Sequence, residues 1–436
     1  MAFRDIRKSR MVLSGEEIAL LILLLSALAI LFVANLNLAQ SLPGSELIYL
    51  RWLGARAFLV EKVSPYSADV AQQVQLLAYN GRPAYSSEYP YALSDPFFIV
   101  LLYTPLAVSR EAVNFLLPSL DSHFGFPFAR AVWMSLSELA LIGIVLQAAR
   151  LAEWQPPRWL YAALFGFGLF GYFSLNALAV GTPAIILTFL YLSILLALRS
   201  GYDELAGGLL SLVAYQWEVG GLFFLFILVL VVSHRRWGVL AGFAMAMFVF
   251  LAVSFLVNPG WGLPYIRGVL SNWYRTPYLN LSSMVNTWFP NLSFNPGVFL
   301  SLAVGGLVFF EWIGAVNGSF QRIFWAASFS LAATPLVGFA IFPSNHVTLI
   351  PALVLIVSLV WERWRRNRVL MTVLVFSLAL FVPFALYLQT ASIYNRIYTD
   401  LLSTLPPVAV ILGLYWMRWW VVRTPRPWAD QIGVRS

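Results

Sequence analysis

The acidic residue Glu46 directly follows the first long apolar segment of the chain, after the helix-ending residues Pro43 and Gly44. At this position its carboxylate is expected at the membrane surface, where it could deprotonate a hydroxyl group while a lipid phosphate leaves. A plainer role is equally open. Ser45 is a good N-cap, and a carboxylate in the first turn stabilises the positive end of a helix dipole. The residues alone do not choose between a general base and a first-turn helix residue.

Four arginines are candidates to bind a phosphate, because a guanidinium pairs with phosphate through two parallel hydrogen bonds. Arg51 and Arg56 follow Glu46 in the same polar segment. Arg267 and Arg275 lie in a second polar segment that is rich in aromatic residues. An aromatic belt with snorkelling arginines at the membrane surface would explain that second segment equally well.

Two further residues are candidates to bind substrate. Glu218 lies in or near an apolar run, where an ionisable residue is costly and is often functional. It would bind a sugar hydroxyl, or pair with an arginine and hold the helices together. His346 is the only histidine predicted on the outer side, where it would bind a leaving phosphate or an acceptor, or hydrogen-bond a nearby carbonyl. Glu138 and Glu311 resemble Glu218 but belong to no motif.

No metal site or cofactor is predicted. The chain contains no cysteine and only three scattered histidines, which excludes disulfides, thiolate catalysis and Cys-based metal sites. Asp69, Glu88 and Asp95 are further outer carboxylates, but they form no Asp-x-Asp pair.

The composition is that of a membrane protein. Of the 436 residues, 60% are hydrophobic and only 11% are charged, against about 25% charged in ordinary soluble domains. This excludes a soluble globular enzyme, a disordered chain and a nucleic-acid-binding protein. No stretch has the polarity or length of a separate domain, so residues 1–436 are predicted to form one integral membrane domain.

Twelve apolar runs predict an all-α polytopic protein with twelve membrane-spanning helices, since a span takes about 20 apolar residues. The runs cover residues 18–34, 93–118, 127–149, 158–179, 183–199, 205–232, 237–257, 297–316, 322–342, 346–361, 369–389 and 397–421.

The distribution of basic residues predicts the orientation, because cytoplasmic loops carry the excess of Lys and Arg. Basic clusters at 4–10, 234–236 and 363–368 then lie in the cytoplasm, as do both chain ends. The two longest connections, 40–92 and 258–296, lie outside. We expect the cell inner (plasma) membrane.

The first outer loop is predicted to be helical. A helix from Glu46 to about Lys62 is ended by Ser64 and Pro65, and its charges suit a helix at the interface with one polar edge facing a cavity. A second short helix is predicted over about 68–79, followed by a turn at residues 80–83.

The order of motifs in this half of the chain resembles glycosyltransferase family 87 of the GT-C superfamily, the polyprenol-phosphate-mannose-dependent transferases. Asn345-His346-Val347 is similar to the His-containing helix start of that family. The family usually has Asp where this chain has Glu46, and its Gly-Gln and Lys-Pro elements appear here as Gly181-Thr182 and Gln216-Trp217-Glu218. The motifs that carry the resemblance are Gly44-Ser45-Glu46, Gly54-Ala55-Arg56-Ala57, Val63-Ser64-Pro65-Tyr66, Tyr89-Pro90-Tyr91 and Tyr103-Thr104-Pro105-Leu106.

The resemblance implies a GT-C-like fold and a metal-independent, inverting transfer of a hexose, mannose in that family, on the outer face of the cell envelope. The donor would be a polyprenyl-phosphate sugar and the acceptor a lipid or glycan. Glu46 would be the base. Donor phosphate or substrate would be bound by Arg51, Arg56, Tyr66, Arg267, Arg275, His346 and Glu218.

Two other classes of membrane protein stay open at this point. A twelve-span transporter or lipid translocator fits the span count, although its polar residues would be expected near the middle of the membrane. A polysaccharide ligase or polymerase would also use lipid-linked sugars and outer loops, but would transfer a preassembled glycan.

Overall fold

The computed structural model describes residues 15–85, 88–111, 125–275, 280–291, 294–392 and 396–422. Helices joined by turns make up these residues, and no strand occurs among them. The predicted all-helical class is therefore confirmed. The basic N-terminal cluster at 4–10 and Arg423 and Arg426 near the C-terminus lie outside the described residues.

The helices of the first half are numbered here in chain order. They are α1 (Gly15–Ser41), α2 (Glu46–Arg56), α3 (Ala68–Ala78), α4 (Phe97–Leu102), α5 (Thr104–Ala107), α6 (Phe126–Leu151), α7 (Arg158–Phe170), α8 (Tyr172–Val180) and α9 (Ala184–Ser200).

The second half continues with ten α-helices, and two 3-10 segments, Thr334–Leu336 and Pro343–Leu349, connect α16 to α17. The helices are α10 (Asp203–Val213), α11 (Trp217–Ser233), α12 (Trp237–Val257), α13 (Gly262–Arg275), α14 (Leu281–Trp288), α15 (Pro296–Val316), α16 (Phe320–Ala333), α17 (Ile350–Arg363), α18 (Arg368–Ser392) and α19 (Arg396–Val422).

Several of these helices are long and apolar enough to cross a membrane, which supports a helical, membrane-embedded protein. Within the described residues there are seven, or eight if the pair α7 and α8, bent by 41°, forms one span. Both α9 and α11 are apolar but have only 17 residues. The seven are Glu16–Ser41, Phe126–Leu151, Trp237–Val257, Pro296–Val316, Pro343–Arg363, Arg368–Thr390 and Ile397–Trp419.

Several of the predicted spans are interrupted, including 158–179, which is divided between α7 and α8. The single helix predicted over 205–232 is wrong, because α10 ends at Val213 and α11 begins at Trp217. The break brings the Gln216 side chain to a buried ion pair described below. In the run predicted over 93–118, α4 and α5 are separated at Tyr103, and the part from 112 onward lies outside the described residues.

The bundle interior is formed mainly by α6, α9, α16 and α17, whose facing residues are buried. Trp325 of α16 is fully buried, stacks on Phe329 with a centroid distance of 5.2 Å, and donates to the Leu414 carbonyl at 2.9 Å. At the edge of the bundle, α1 is attached to α6. Asn35 of α1 donates to the Glu138 carboxylate of α6 at 2.7 Å, so Glu138 has a structural partner.

Residues 40–92, predicted as the first outer loop and called by that name below, form a packed layer on the bundle. The helix predicted from Glu46 is present as α2 and continues as a π-helical turn, Ala57–Glu61, that ends at Lys62. The predicted second helix is α3. Residues on nearly all sides of α2 are buried within the protein, including Ile48 and Trp52. Its position at the membrane interface stays a prediction.

The intramembrane carboxylate Glu311 joins α15 to α19. It is buried, accepts a hydrogen bond from the Tyr415 hydroxyl at 2.8 Å, and lies 2.9 Å from the Arg418 Nε. Since removal of one member leaves the other without its partner, Glu311→Gln is expected to lower the free energy of unfolding by about 1–3 kcal/mol. Thermal unfolding of the purified protein in detergent measures this. Glu362→Gln, at an exposed carboxylate of α17, is the control. Equal changes in both variants would contradict the structural role of Glu311.

Candidate functional site

The turn before Glu46 has an unusual backbone conformation. Gly44 and Ser45 both have positive φ angles, +113° and +71°. The second is strained, because residues with a Cβ rarely adopt left-handed conformations. The Ser45 N–H donates to the Ala179 carbonyl at the end of α8 at 2.7 Å, and its hydroxyl donates to the same oxygen at 3.2 Å. The predicted N-cap role of Ser45 is therefore wrong: its side chain anchors the turn to α8 and does not cap α2.

Glu46 itself is half-buried at the first position of α2. Its carboxylate makes no hydrogen bond or ion pair with another residue that the structure describes. Two tyrosines of the first outer loop, Tyr79 and Tyr91, lie within range of its charge. Burial raises the pKa of the Tyr91 hydroxyl, and the nearby Glu46 charge raises it further. The geometry therefore presents a carboxylate beside neutral aromatic rings.

A buried ion pair lies deeper in the same layer. The Arg51 Nε of α2 lies 2.7 Å from the Asp95 Oδ2, and the two residues are only 6% and 2% exposed. The Gln216 side chain donates to the Asp95 Oδ1 at 3.1 Å from the break before α11. Arg51 is thus committed to Asp95, and the pair ties α2 to the segment before α4 and to α11.

Tyr66 is placed at this pair. Its hydroxyl donates to the Asp95 carbonyl at 2.9 Å. Burial raises the pKa of Tyr66, and the Asp95 charge adds to the effect, so the hydroxyl stays protonated and donates. Its ring meets the ring of Tyr265 edge-on at 6.5 Å, which links the two outer loops.

Arg56 is also paired. Its guanidinium lies 2.7 Å from the Glu111 carboxylate and 3.9 Å from that of Glu61, and it sits over the Trp52 ring at 5.7 Å. These contacts fix the end of α2 against the segment after α5. The second arginine of the first outer loop therefore has its charge compensated within the protein.

The remaining outer carboxylates differ from Glu46. Glu88 is bound by both terminal nitrogens of Arg82 at 2.6 Å. Hydrogen bonds from Arg82 and from the Tyr85 N–H lower the pKa of Glu88 to about 2. Asp69 is exposed in the first turn of α3. Among the described residues, no group of three or more His, Asp or Glu side chains could hold a metal ion.

The second outer loop packs on the first through α13. The Asn272 amide donates to the Ala92 carbonyl at 2.8 Å. At Gly268, an added Cβ would lie 2.3 Å from the Leu93 carbonyl oxygen, so only glycine permits this approach. Arg267 is exposed on α13 and makes no hydrogen bond or ion pair with another described residue. The Arg275 side chain lies outside the described residues.

His346 and Glu218 are not exposed. His346 is 2% exposed, packs against the Phe173 ring, and its Nε2 lies 2.6 Å from the Ser403 carbonyl of α19. This is the helix-start hydrogen bond that the sequence allowed. Glu218 is half-buried in the first turn of α11, within range of the Asp95 charge.

One residue of this region was missed by the sequence reasoning. Arg130 lies near the start of α6, is 5% exposed, and donates to the carbonyls that end α1. A signal was present, because Arg130 is an ionisable residue inside the apolar run 127–149, where such residues are rare and usually have a role.

No protein-family model matches this chain, and no curated protein matches it.

Proposed function

We propose that the chain is an integral membrane glycosyltransferase of the GT-C type. It would move a hexose, mannose by its resemblance, from a polyprenyl-phosphate sugar to a lipid or glycan acceptor, with inversion, on the outer side of the cell inner membrane. The twelve-span topology with both termini in the cytoplasm belongs to this proposal. The membrane-embedded helices support its setting, because a polyprenyl donor is itself held in the membrane.

The observation that carries the proposal is the difference between Glu46 and its neighbours. Glu46 is presented by a strained turn, half-buried, with no ion pair to another described residue. A general base needs a carboxylate that is free to accept a proton. Four other carboxylates of the region each face an arginine instead: Glu61 and Glu111 at Arg56, Glu88 at Arg82, and Asp95 at Arg51.

In the proposed reaction, Glu46 takes the proton of the acceptor hydroxyl. The hydroxyl oxygen forms a bond to the anomeric carbon, on the face opposite the phosphate. The bond between that carbon and the phosphate oxygen breaks, and polyprenyl phosphate leaves with the electron pair. Attack opposite the leaving group inverts the configuration at the anomeric carbon.

Among the predicted phosphate-binding arginines, Arg267 is the best candidate to bind the donor phosphate. Arg51 and Arg56 already face carboxylates, whereas Arg267 is exposed on a helix packed against the first outer loop. We therefore assign Arg51 and Tyr66 to the scaffold of the site and Arg267 to the phosphate of the bound donor.

Arg267→Ala is expected to raise the KM for the lipid-phosphate sugar about tenfold, the loss of ~1.4 kcal/mol that one charge-assisted contact supplies. The KM for the acceptor should stay within twofold, because the contact is to the donor. Steady-state kinetics with each substrate varied in turn measures both values. Lys62→Ala, which removes another outer cation, is the matched control. An unchanged donor KM in Arg267→Ala would place the phosphate elsewhere.

The activity itself is tested with purified protein in nanodiscs, supplied with polyprenyl-phosphate-mannose or polyprenyl-phosphate-glucose and extracted lipids. Release of polyprenyl phosphate together with a glycosylated lipid is the expected result. Transfer that required a preassembled glycan would indicate a ligase or polymerase. If neither donor bound, the transferase would be rejected, and flux of lipid or solute across liposomes would test a translocator.

A further inference from the structure

A buried arginine closes the end of α1 next to Glu46. The terminal nitrogens of Arg130 donate to the Ala39 carbonyl at 3.3 Å and to the Pro43 carbonyl at 3.1 Å, and Nη1 also donates to the Leu42 carbonyl. The last carbonyls of a helix lack partners within the helix. From α6, Arg130 satisfies one of them, that of Ala39, together with the carbonyls of Leu42 and Pro43 just beyond the helix, so the chain leaves α1 in one fixed direction.

The same contacts confine the turn that carries Glu46. Arg130 of α6 and Ala179 of α8 both contact the Pro43–Ser45 turn. A Cβ added to Gly44 would lie 2.8 Å from the Ala179 oxygen and 3.6 Å from the Arg130 Nη2. Ser45 is held by two hydrogen bonds to Ala179. Two helices, α6 and α8, therefore clamp the turn.

Charge connects the two residues as well. Arg130 makes no ion pair with a carboxylate of the described residues, and the Glu46 charge acts on it. A guanidinium that donates only to carbonyl oxygens keeps its positive charge. Its interaction with Glu46 then favours the carboxylate staying near the clamp.

We propose that Arg130 is a positioning residue: it holds the Pro43–Ser45 turn and thereby sets the place of the Glu46 carboxylate. The proposal rests on the proposed function only where it treats Glu46 as the base. This role requires the planar guanidinium of arginine, because the single ammonium group of lysine cannot donate to several carbonyls in fixed directions.

The first test of this positioning role measures the mobility of residue 46 and does not depend on sugar transfer. The chain has no cysteine, so the Glu46→Cys variant carries one spin label, whose mobility is measured by electron paramagnetic resonance in nanodiscs. Adding Arg130→Gln is expected to increase that mobility. Arg199→Gln, at an exposed arginine that binds Glu153 and the Arg150 carbonyl, should leave it unchanged. An unchanged spectrum in folded Arg130→Gln would overturn the proposal.

Kinetics of the unlabelled protein give a second readout. Arg130→Gln should lower kcat about 100-fold, the cost of a misplacement near 1 Å, with the donor KM within threefold, and Arg130→Lys should recover only part of kcat. If Arg130→Gln fails to fold, Gly44→Ala loosens the turn while keeping the Arg130 side chain, because its Cβ would clash with the Ala179 oxygen. Full kcat and an unchanged label in Gly44→Ala would overturn the proposal. If Arg130→Gln increases the label mobility but the wild-type protein transfers no sugar, only the proposed function is rejected and the positioning role of Arg130 stands.

Discussion

Replacing Glu46 by glutamine is expected to lower kcat of sugar transfer by about 10³-fold while leaving expression and thermal unfolding unchanged. General base catalysis contributes about 10²–10⁴-fold, and glutamine keeps the shape of the side chain but cannot accept the proton. The fold should tolerate the change, because the carboxylate makes no hydrogen bond or ion pair with another described residue. Turnover of the two polyprenyl-phosphate donors in nanodiscs measures the effect.

The matched control is Asp69→Asn. Asp69 is also a first-turn carboxylate of the first outer loop, at the start of α3, but it is exposed. It should keep wild-type kcat. Wild-type turnover in Glu46→Gln would remove the catalytic assignment and leave Glu46 as a residue that stabilises the helix dipole of α2.

The second large effect concerns stability. Asp95→Asn or Arg51→Met is expected to lower the free energy of unfolding by about 3–5 kcal/mol, because each leaves the partner charge buried and unpaired. Asp95→Asn further weakens the contact with Gln216 that ties in α11. Thermal unfolding of the purified protein in detergent, followed by intrinsic fluorescence, measures the loss.

The double variant Arg51→Met with Asp95→Leu tests whether the stability loss of the single variants comes from an unpaired buried charge. Replacing both members of a buried ion pair by apolar residues is often close to neutral, so the double variant should recover most of the loss. Losses that simply added up would contradict a direct interaction between the two side chains. Recovered stability with intact donor KM would also show that Arg51 serves the scaffold.

Much of the architecture could be predicted from local properties of the sequence. Apolar runs predicted the membrane-embedded helices, and Pro, Gly and polar residues predicted α2, α3 and the position of Glu46 after α1. These features depend on neighbouring residues alone, because a helix satisfies its own backbone hydrogen bonds within the segment. The transferase activity is a prediction from a resemblance, and its test is biochemical.

Only the tertiary structure decided which charged residues are paired. Arg51 meets Asp95 across 44 residues, and His346 meets the Ser403 carbonyl across 57. Neither partner is visible in local spacing. The break before α11 likewise brings Gln216 to a distant partner, Asp95. Arg130 is also distant in sequence from the carbonyls at the end of α1 that it binds. A buried charge must find a partner, and the partner is supplied by whichever helix the packing brings near. The sequence by itself therefore determined a helical membrane protein with Glu46 after its first span. The packing decided that Glu46 stays unpaired among the described residues, while Glu61, Glu88, Glu111 and Asp95 each face an arginine.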